Sequence, residues 1–197
     1  SIHLTASLGV TLYPNDHVQG DVLLRHANQA MYRAKQRGRD TFHLFDPNHD
    51  RLLQVRHEQR QRFVDALNND ELCLYYQPQV DMRSGQVVGV EALIRWQHPE
   101  RGLLSPGQFL STIDATPLEV DLGEWVLEHA LQQLTQWQND GIEMPINVNI
   151  SPTHLLVSNF SQRLAELLAR YPMVSPSLLK LEVLESGAMH DVKAALK

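Results

Sequence analysis

Hydrophobic and polar positions change period several times along the chain, and each change predicts an element. Positions 2–12 alternate apolar with small or polar residues, as a half-buried strand does, and end at the turn signal Tyr13-Pro14-Asn15-Asp16. Leu24, Ala27, Met31 and Ala34 then recur at helical spacing, with Asp21 as the expected N-cap and Gly38 as the stop. A short strand is expected over 41–45. The polar run Asp46-Pro47-Asn48-His49-Asp50 reads as a break, which places a first unit at 1–46 and a linker at 47–56. A charged helix over 56–68 carries Phe63, Val64 and Leu67. Strand-like runs at 72–82 and 87–96, joined through Arg83-Ser84-Gly85, predict a hairpin. The strongest helical pattern covers 121–139, with Leu122, Trp125, Val126, Ala130, Leu134 and Trp137 on one side. Asp121 and Glu124 form a capping-box-like pair at its start, and Gly141 follows it. A strand at 145–150, a helix at 162–171 and a strand at 178–184 complete the pattern.

From Leu93 onward the order is strand, helix, strand, helix, strand. That order predicts parallel strands with crossover helices, hence an α/β fold. The second unit, 57–197, holds only a few such strands. A closed barrel of this kind needs about 250 residues, so the expectation is an incomplete (β/α) TIM-type barrel. Uncovered strand edges and apolar faces predict, for such a piece in isolation, self-association (for instance as a homodimer), a partial domain swap or marginal folding.

Composition changes this picture little. The 197 residues are 43% hydrophobic and 20% charged, an ordinary globular balance. A formal net charge of -6 argues against a broad nucleic-acid surface, although local arginines and a metal can still hold a small anion. Cys73 is the only cysteine, so neither an intrachain disulfide nor a thiolate zinc site can form, and a cytoplasmic setting is expected. No apolar run is long enough to span a membrane. The opening residues read as the middle of a strand, and the chain is expected to be a piece of a longer polypeptide.

Candidate chemistry follows from the strand ends. In barrels of this class the reactive groups sit at the carboxyl ends of the strands. Glu91, in Glu91-Ala92-Leu93, lies towards the end of one strand, and Arg95 follows four residues later. Asn149 ends the next strand. Glu182 ends the third, followed by Glu185. Such oxygen ligands suit Mg²⁺ or Mn²⁺, which polarise a phosphodiester and lower the pKa of an attacking water. Bland readings compete with this one. A lone glutamate at a strand end is more often solvated or ion-paired, an asparagine there can simply satisfy backbone groups, and Arg95 can be a plain surface cation. Trp125 and Trp137 read as core. The ten histidines have no metal-binding spacing and read as surface or capping residues. Two matches to the glycosylation sequon, at Asn149 and Asn159, are set aside because no secretory signal accompanies them.

From about His57 onward the sequence resembles the N-terminal half of an EAL domain, the bacterial cyclic di-GMP phosphodiesterase. The resemblance rests on Leu74-Tyr75-Tyr76-Gln77-Pro78, Gly89-Val90-Glu91-Ala92-Leu93-Ile94-Arg95-Trp96 and His98-Pro99-Glu100-Arg101-Gly102-Leu103-Leu104-Ser105-Pro106. It continues through Asn147-Val148-Asn149-Ile150-Ser151 and Leu181-Glu182-Val183-Leu184-Glu185-Ser186. Residues 1–46 resemble the C-terminal end of a GGDEF domain, the diguanylate cyclase module. Here the match is Ala6-Ser7-Leu8-Gly9-Val10 with Tyr13-Pro14, Ala27-Asn28-Gln29-Ala30-Met31-Tyr32-Arg33-Ala34-Lys35 and Gly38-Arg39-Asp40.

The resemblance implies Glu91, Asn149 and Glu182 as ligands of Mg²⁺ or Mn²⁺, with a metal pair in a complete domain. It implies Arg95 on a substrate phosphate and Gln77 against the substrate. Glu185 would steady a loop of the metal site and belong to the catalytic set with Glu91 and Glu182. The implied reaction is hydrolysis of one phosphodiester bond of cyclic di-GMP to linear pGpG. The family's later acidic segment and catalytic lysine are not in this chain, so these residues alone are expected to be inactive while the parent protein hydrolyses. The sequence also departs from the family pattern: Pro117 stands where glycine is usual, Glu119 is unusual, Leu184 replaces a common threonine, and Asn28 a frequent aspartate. Two alternatives stay open. One is a degenerate EAL module that binds cyclic di-GMP or a partner protein without turnover. The other is a cyclase with a regulatory EAL unit.

Overall fold

The structure, a computed structural model, describes residues 5–14 and 18–183. It divides into two compact units, Ser1–Gln59 and Arg60–Lys197.

In the first unit, strand β1 (Leu8–Val10), helix α1 (Gly20–Gln36) and strand β2 (Phe42–Leu44) form a parallel β-α-β arrangement, with Leu8 opposite Phe42. The helix lies directly on β1. A Cβ on Gly9 would stand 1.9 Å from the Ala27 carbonyl oxygen and 2.3 Å from the Met31 nitrogen, so only glycine admits this approach. The same contact face of α1 buries Ala30 and Ala34 completely. The helix begins one residue before Asp21. Gln19 occupies the N-cap without a side-chain bond, and Asp21 sits in the first turn, where its charge suits the helix dipole. Gly38, at φ 110°, follows the helix end as expected.

Helix α2 runs Pro47–Asn68, so the expected linker at 47–56 is helical instead. The signal taken for a break is a helix start. The Asp46 carboxylate accepts the backbone N–H groups of Asn48 (2.9 Å) and His49 (3.3 Å), and Pro47 takes the first helical position, where it needs no N–H partner.

The second unit is built on one mixed sheet. Strands β3 (Leu72–Val80) and β4 (Val87–His98) pair antiparallel, with Leu72 opposite Trp96 and Gln77 opposite Glu91. Their connection is tied by Asp81, whose carboxylate accepts from the N–H groups of Arg83 (2.7 Å) and Ser84 (3.0 Å), and Gly85 supplies the left-handed residue at φ 69°. A short strand β5 (Gly102–Leu104), unforeseen in the sequence pattern, folds back on the end of β4. After it come the short helix α3 (Leu110–Ile113), helix α4 (Leu118–Asn139), strand β6 (Ile146–Ile150), the short helix α5 (Pro152–Leu155), helix α6 (Phe160–Ala169) and strand β7 (Leu179–Val183). Strands β4, β6 and β7 are parallel neighbours, in the sheet order β3-β4-β6-β7. The fold is therefore the expected α/β arrangement, part of a TIM-type barrel.

Period two sorts the sheet into two faces. One face is apolar: Val90, Ala92 and Trp96 of β4 and Ile146, Val148 and Ile150 of β6 are buried in one cluster with Leu122, Val126, Leu127, Ala130, Leu131 and Leu134 of α4. The opposite face carries the polar residues of the same strands.

Helix α4 starts three residues before the expected Asp121. Pro117 takes the N-cap, and Asp121 lies in the first turn. The Asp121–Glu124 capping box does not form. Glu124 instead turns to His154 (Oε1 to Nε2, 3.2 Å) and Arg163 (3.0 Å). A capping box forms at Ser105 and Gln108, ahead of a single helical turn. His154 also overturns the reading of the histidines as surface or capping residues. It is 1% exposed, packed edge-on against Phe160, and held through its N–H by the Ser151 hydroxyl that caps α5.

Candidate functional site

The polar face of the sheet collects the residues singled out in the sequence. Asn149 and Glu182 stand next to last in β6 and β7. Glu91, expected towards a strand end, is instead the fifth of the twelve residues of β4, because that strand continues through Arg95 to His98. Alternation places Tyr75, Gln77 and Gln79 of β3, Glu91 and Arg95 of β4, Asn147 and Asn149 of β6, and Lys180 and Glu182 of β7 on this side. Parallel pairing supplies the lateral alignment. Glu91 stands opposite Asn147, and Asn149 opposite Glu182.

Within this face Glu91 and Asn149 meet directly. The Asn149 Nδ2 donates to Glu91 Oε1 at 2.7 Å, bridging β4 and β6. With its amino group engaged there, the Asn149 amide retains its oxygen as a donor atom for a cation. Glu182, on the next strand, accepts a hydrogen bond from Asn147 rather than from Asn149. Among the described residues no three His, Cys, Asp or Glu side chains surround a common point. The local set is two carboxylates and an amide oxygen, and these hard oxygen donors fit Mg²⁺ or Mn²⁺ better than zinc or copper.

Arg95 lies four residues beyond Glu91, about 13 Å along an extended strand. Its Nη1 donates to the Ile94 carbonyl at 2.8 Å, and its guanidinium stands over the Tyr75 ring at 5.6 Å. The arginine thus lies on the same sheet face as the carboxylates with no ion pair to them among the described residues, a setting that favours an anionic group. Gln77 is exposed on the same face, opposite Glu91. The adjacent Tyr76 points the other way, against Trp137 at 5.2 Å, where burial pushes its phenol up to about 12. Only Tyr75 and Gln77 of this motif therefore face the site. Glu185 lies outside the described residues.

Two participants, Asn147 and Gln79, escaped the sequence reading. Asn147 is 7% exposed and donates through Nδ2 to Gln79 Oε1 at 3.1 Å as well as to Glu182. The signal for it was present: in Ile146-Asn147-Val148-Asn149-Ile150 the two asparagines share one face of a strand whose other face is wholly apolar.

Residues 60–197 match the EAL domain, and residues 1–41 match the diguanylate cyclase GGDEF domain. The chain is 40% identical over 200 residues to the bifunctional diguanylate cyclase/cyclic di-GMP phosphodiesterase MucR of Pseudomonas aeruginosa, an alignment covering 99% of this chain and 28% of that protein. It is 34% identical over 192 residues to the cyclic di-GMP phosphodiesterase PdeR of Escherichia coli, covering 95% of this chain and 29% of that protein. The solved MucR phosphodiesterase in complex with c-di-GMP is 40% identical and superposes with a TM-score of 0.65, over 71% of this chain and 56% of that one. This chain thus spans less than a third of the length of these two relatives.

Proposed function

The chain belongs to the EAL domain family, and from that premise we propose that the protein carrying it hydrolyses cyclic di-GMP to linear pGpG in the cytoplasm. The observation that carries this reading is the Glu91–Asn149 bridge across two parallel strands, with Glu182 aligned on the third. Glu91, Asn149 and Glu182 are the residues that would hold Mg²⁺ or Mn²⁺, and the bound cation would supply Lewis acidity to the phosphodiester. Arg95, propped on Tyr75 and without an ion pair among the described residues, is placed to offer its guanidinium to a phosphate. Gln77, exposed opposite Glu91, is placed to lie against the dinucleotide. The role carried to Glu185 by family resemblance, steadying a loop of the metal site, belongs to the same proposal. In the reaction a water oxygen bonds to phosphorus in line with the ester oxygen that departs, which takes up a proton to become a ribose hydroxyl.

The test is turnover of cyclic di-GMP by the full-length protein with Mg²⁺ or Mn²⁺, read as pGpG formation. Glu91→Ala is expected to lower kcat/KM by at least about 100-fold, as loss of a charge-stabilising group at a reacting centre does. Binding of cyclic di-GMP with no pGpG from the wild type would replace this reading by the non-catalytic one. A Glu91→Ala variant with wild-type turnover would remove Glu91 from the site.

Self-association belongs to the same proposal. For residues 1–197 by themselves, support comes from the first unit, where Leu8 and Phe42 of the two-stranded sheet are 59% and 68% exposed. Light scattering that gives a monomer over the working concentration range would overturn it.

A further inference from the structure

Position 147 is a costly place for an amide. Its strand neighbours Ile146, Val148 and Ile150 are fully buried, and Asn147 itself is 7% exposed. Both hydrogens of its amino group are used, one on Gln79 Oε1 at 3.1 Å and one on Glu182 Oε1, while its Oδ1 is buried without a partner. A buried unsatisfied acceptor destabilises a fold, and an apolar side chain of similar shape would avoid that penalty. Stability therefore gives no reason for the residue, and its two bonds do.

The route from Gln79 to Asn147 is itself built. Strand β4 lies between β3 and β6, and at the crossing point it carries Gly89, the pairing partner of Gln79. A Cβ there would stand in ordinary contact with Gln79 Oε1 at 3.5 Å and slightly tight against the Pro145 carbonyl oxygen at 3.3 Å, so the Gln79 amide passes directly over this glycine. The result is a string of three side chains on three strands, Gln79 to Asn147 to Glu182, running beside the separate Glu91–Asn149 bridge.

We infer that Asn147, anchored by Gln79 across Gly89, is a positioning residue that fixes the Glu182 carboxylate for the cation. One oxygen of Glu182 is held by the amide, which leaves the other for the cation and limits the rotamers the side chain must give up on binding. The inference rests on the cation site proposed above and deepens it.

The experiment measures Mn²⁺ affinity by calorimetry on the full-length protein, with melting temperature and cyclic di-GMP turnover recorded beside it. Asn147→Leu is expected to weaken Mn²⁺ about 10-fold, the scale of losing a group that orients a metal ligand, while the melting temperature holds or rises. Gln79→Leu, at a less buried position, is expected to weaken it less. The double variant should bind no worse than Asn147→Leu alone, because Gln79 acts through Asn147. Wild-type Mn²⁺ affinity in Asn147→Leu, or losses from the two substitutions that add in full, overturns the inference. So does a fall in melting temperature with unchanged affinity, which is what a purely structural role gives. Should Asn147→Leu not fold, wild-type affinity in Gln79→Leu overturns it alone. A wild type that binds Mn²⁺ yet releases no pGpG sinks the phosphodiesterase reading and leaves the inference to stand on the affinities. A wild type that binds no Mn²⁺ overturns both.

Discussion

Glu71 lies outside the candidate site, yet its carboxylate decides how β4 meets α2. Its Oε2 accepts from Arg62 at 2.5 Å and from the Trp96 indole at 3.0 Å, and the same guanidinium stands over the Trp96 ring at 5.5 Å. The Arg62 hydrogen bond, with help from Trp96, holds the Glu71 pKa below its ordinary value of 4.5. A depressed carboxylate contributes stability above the unfolded pKa and loses it as pH falls through the folded one. Acid unfolding followed by Trp fluorescence should therefore steepen below about pH 4.5 in the wild type, and Glu71→Gln should flatten that limb. Gly123 offers a second residue-scale case. Alanine in the middle of a helix is normally favoured over glycine. Here a Cβ would stand 2.1 Å from His154 Nδ1, and that buried ring is fixed by Glu124 and Phe160. Gly123→Ala should destabilise the fold by about 1–3 kcal/mol, the cost of overpacking, in urea denaturation. Such contacts could not be read from the sequence, since nothing local to Gly123 announces a histidine thirty-one residues later. Glu91 and Asn149 could be, because each is a polar residue on one face of a strand whose other face is apolar, and the two strands are neighbours.

At the scale of elements, the period-two strands were legible and the helix starts were not. Strands β4, β6 and β7 fall close to where the alternation puts them, and the alternation alone separates the buried face from the polar one. Helix starts depend on which of several polar residues actually bonds a free N–H, and composition does not tell them apart. Asp46 resembled a break and is a cap, whereas Asp121 resembled a cap and is not. Ser151 is a cap whose position matters twice, because it directly follows β6, two residues after Asn149, and holds the first turn of α5 through the His154 N–H at 3.1 Å. Ser151→Ala should cost about 1 kcal/mol, as N-cap deletions do. It should also lower cyclic di-GMP turnover modestly, since Asn149 lies two residues upstream, and equilibrium unfolding alongside initial rates would separate the two effects.

At the scale of the whole molecule, cation binding at the proposed site and the stability of the second unit would be one thermodynamic quantity. Glu91, Asn149 and Glu182 come from three strands, so the set exists only when β4, β6 and β7 are paired. A ligand that binds the folded state alone stabilises it by mass action, about 2.7 kcal/mol at a concentration one hundred times its Kd. Mn²⁺ should accordingly raise the melting temperature of the transition that belongs to residues 60–197. The rise should grow with concentration and vanish on adding a chelator. Glu91→Ala should abolish most of the shift, while a substitution in the first unit such as Leu8→Ala should leave it in place, because that sheet shares no strand with the site. Calorimetry over a Mn²⁺ series reads this without any turnover. A shift that survives Glu91→Ala in full would move the cation away from the sheet face that carries Glu91, Asn149 and Glu182.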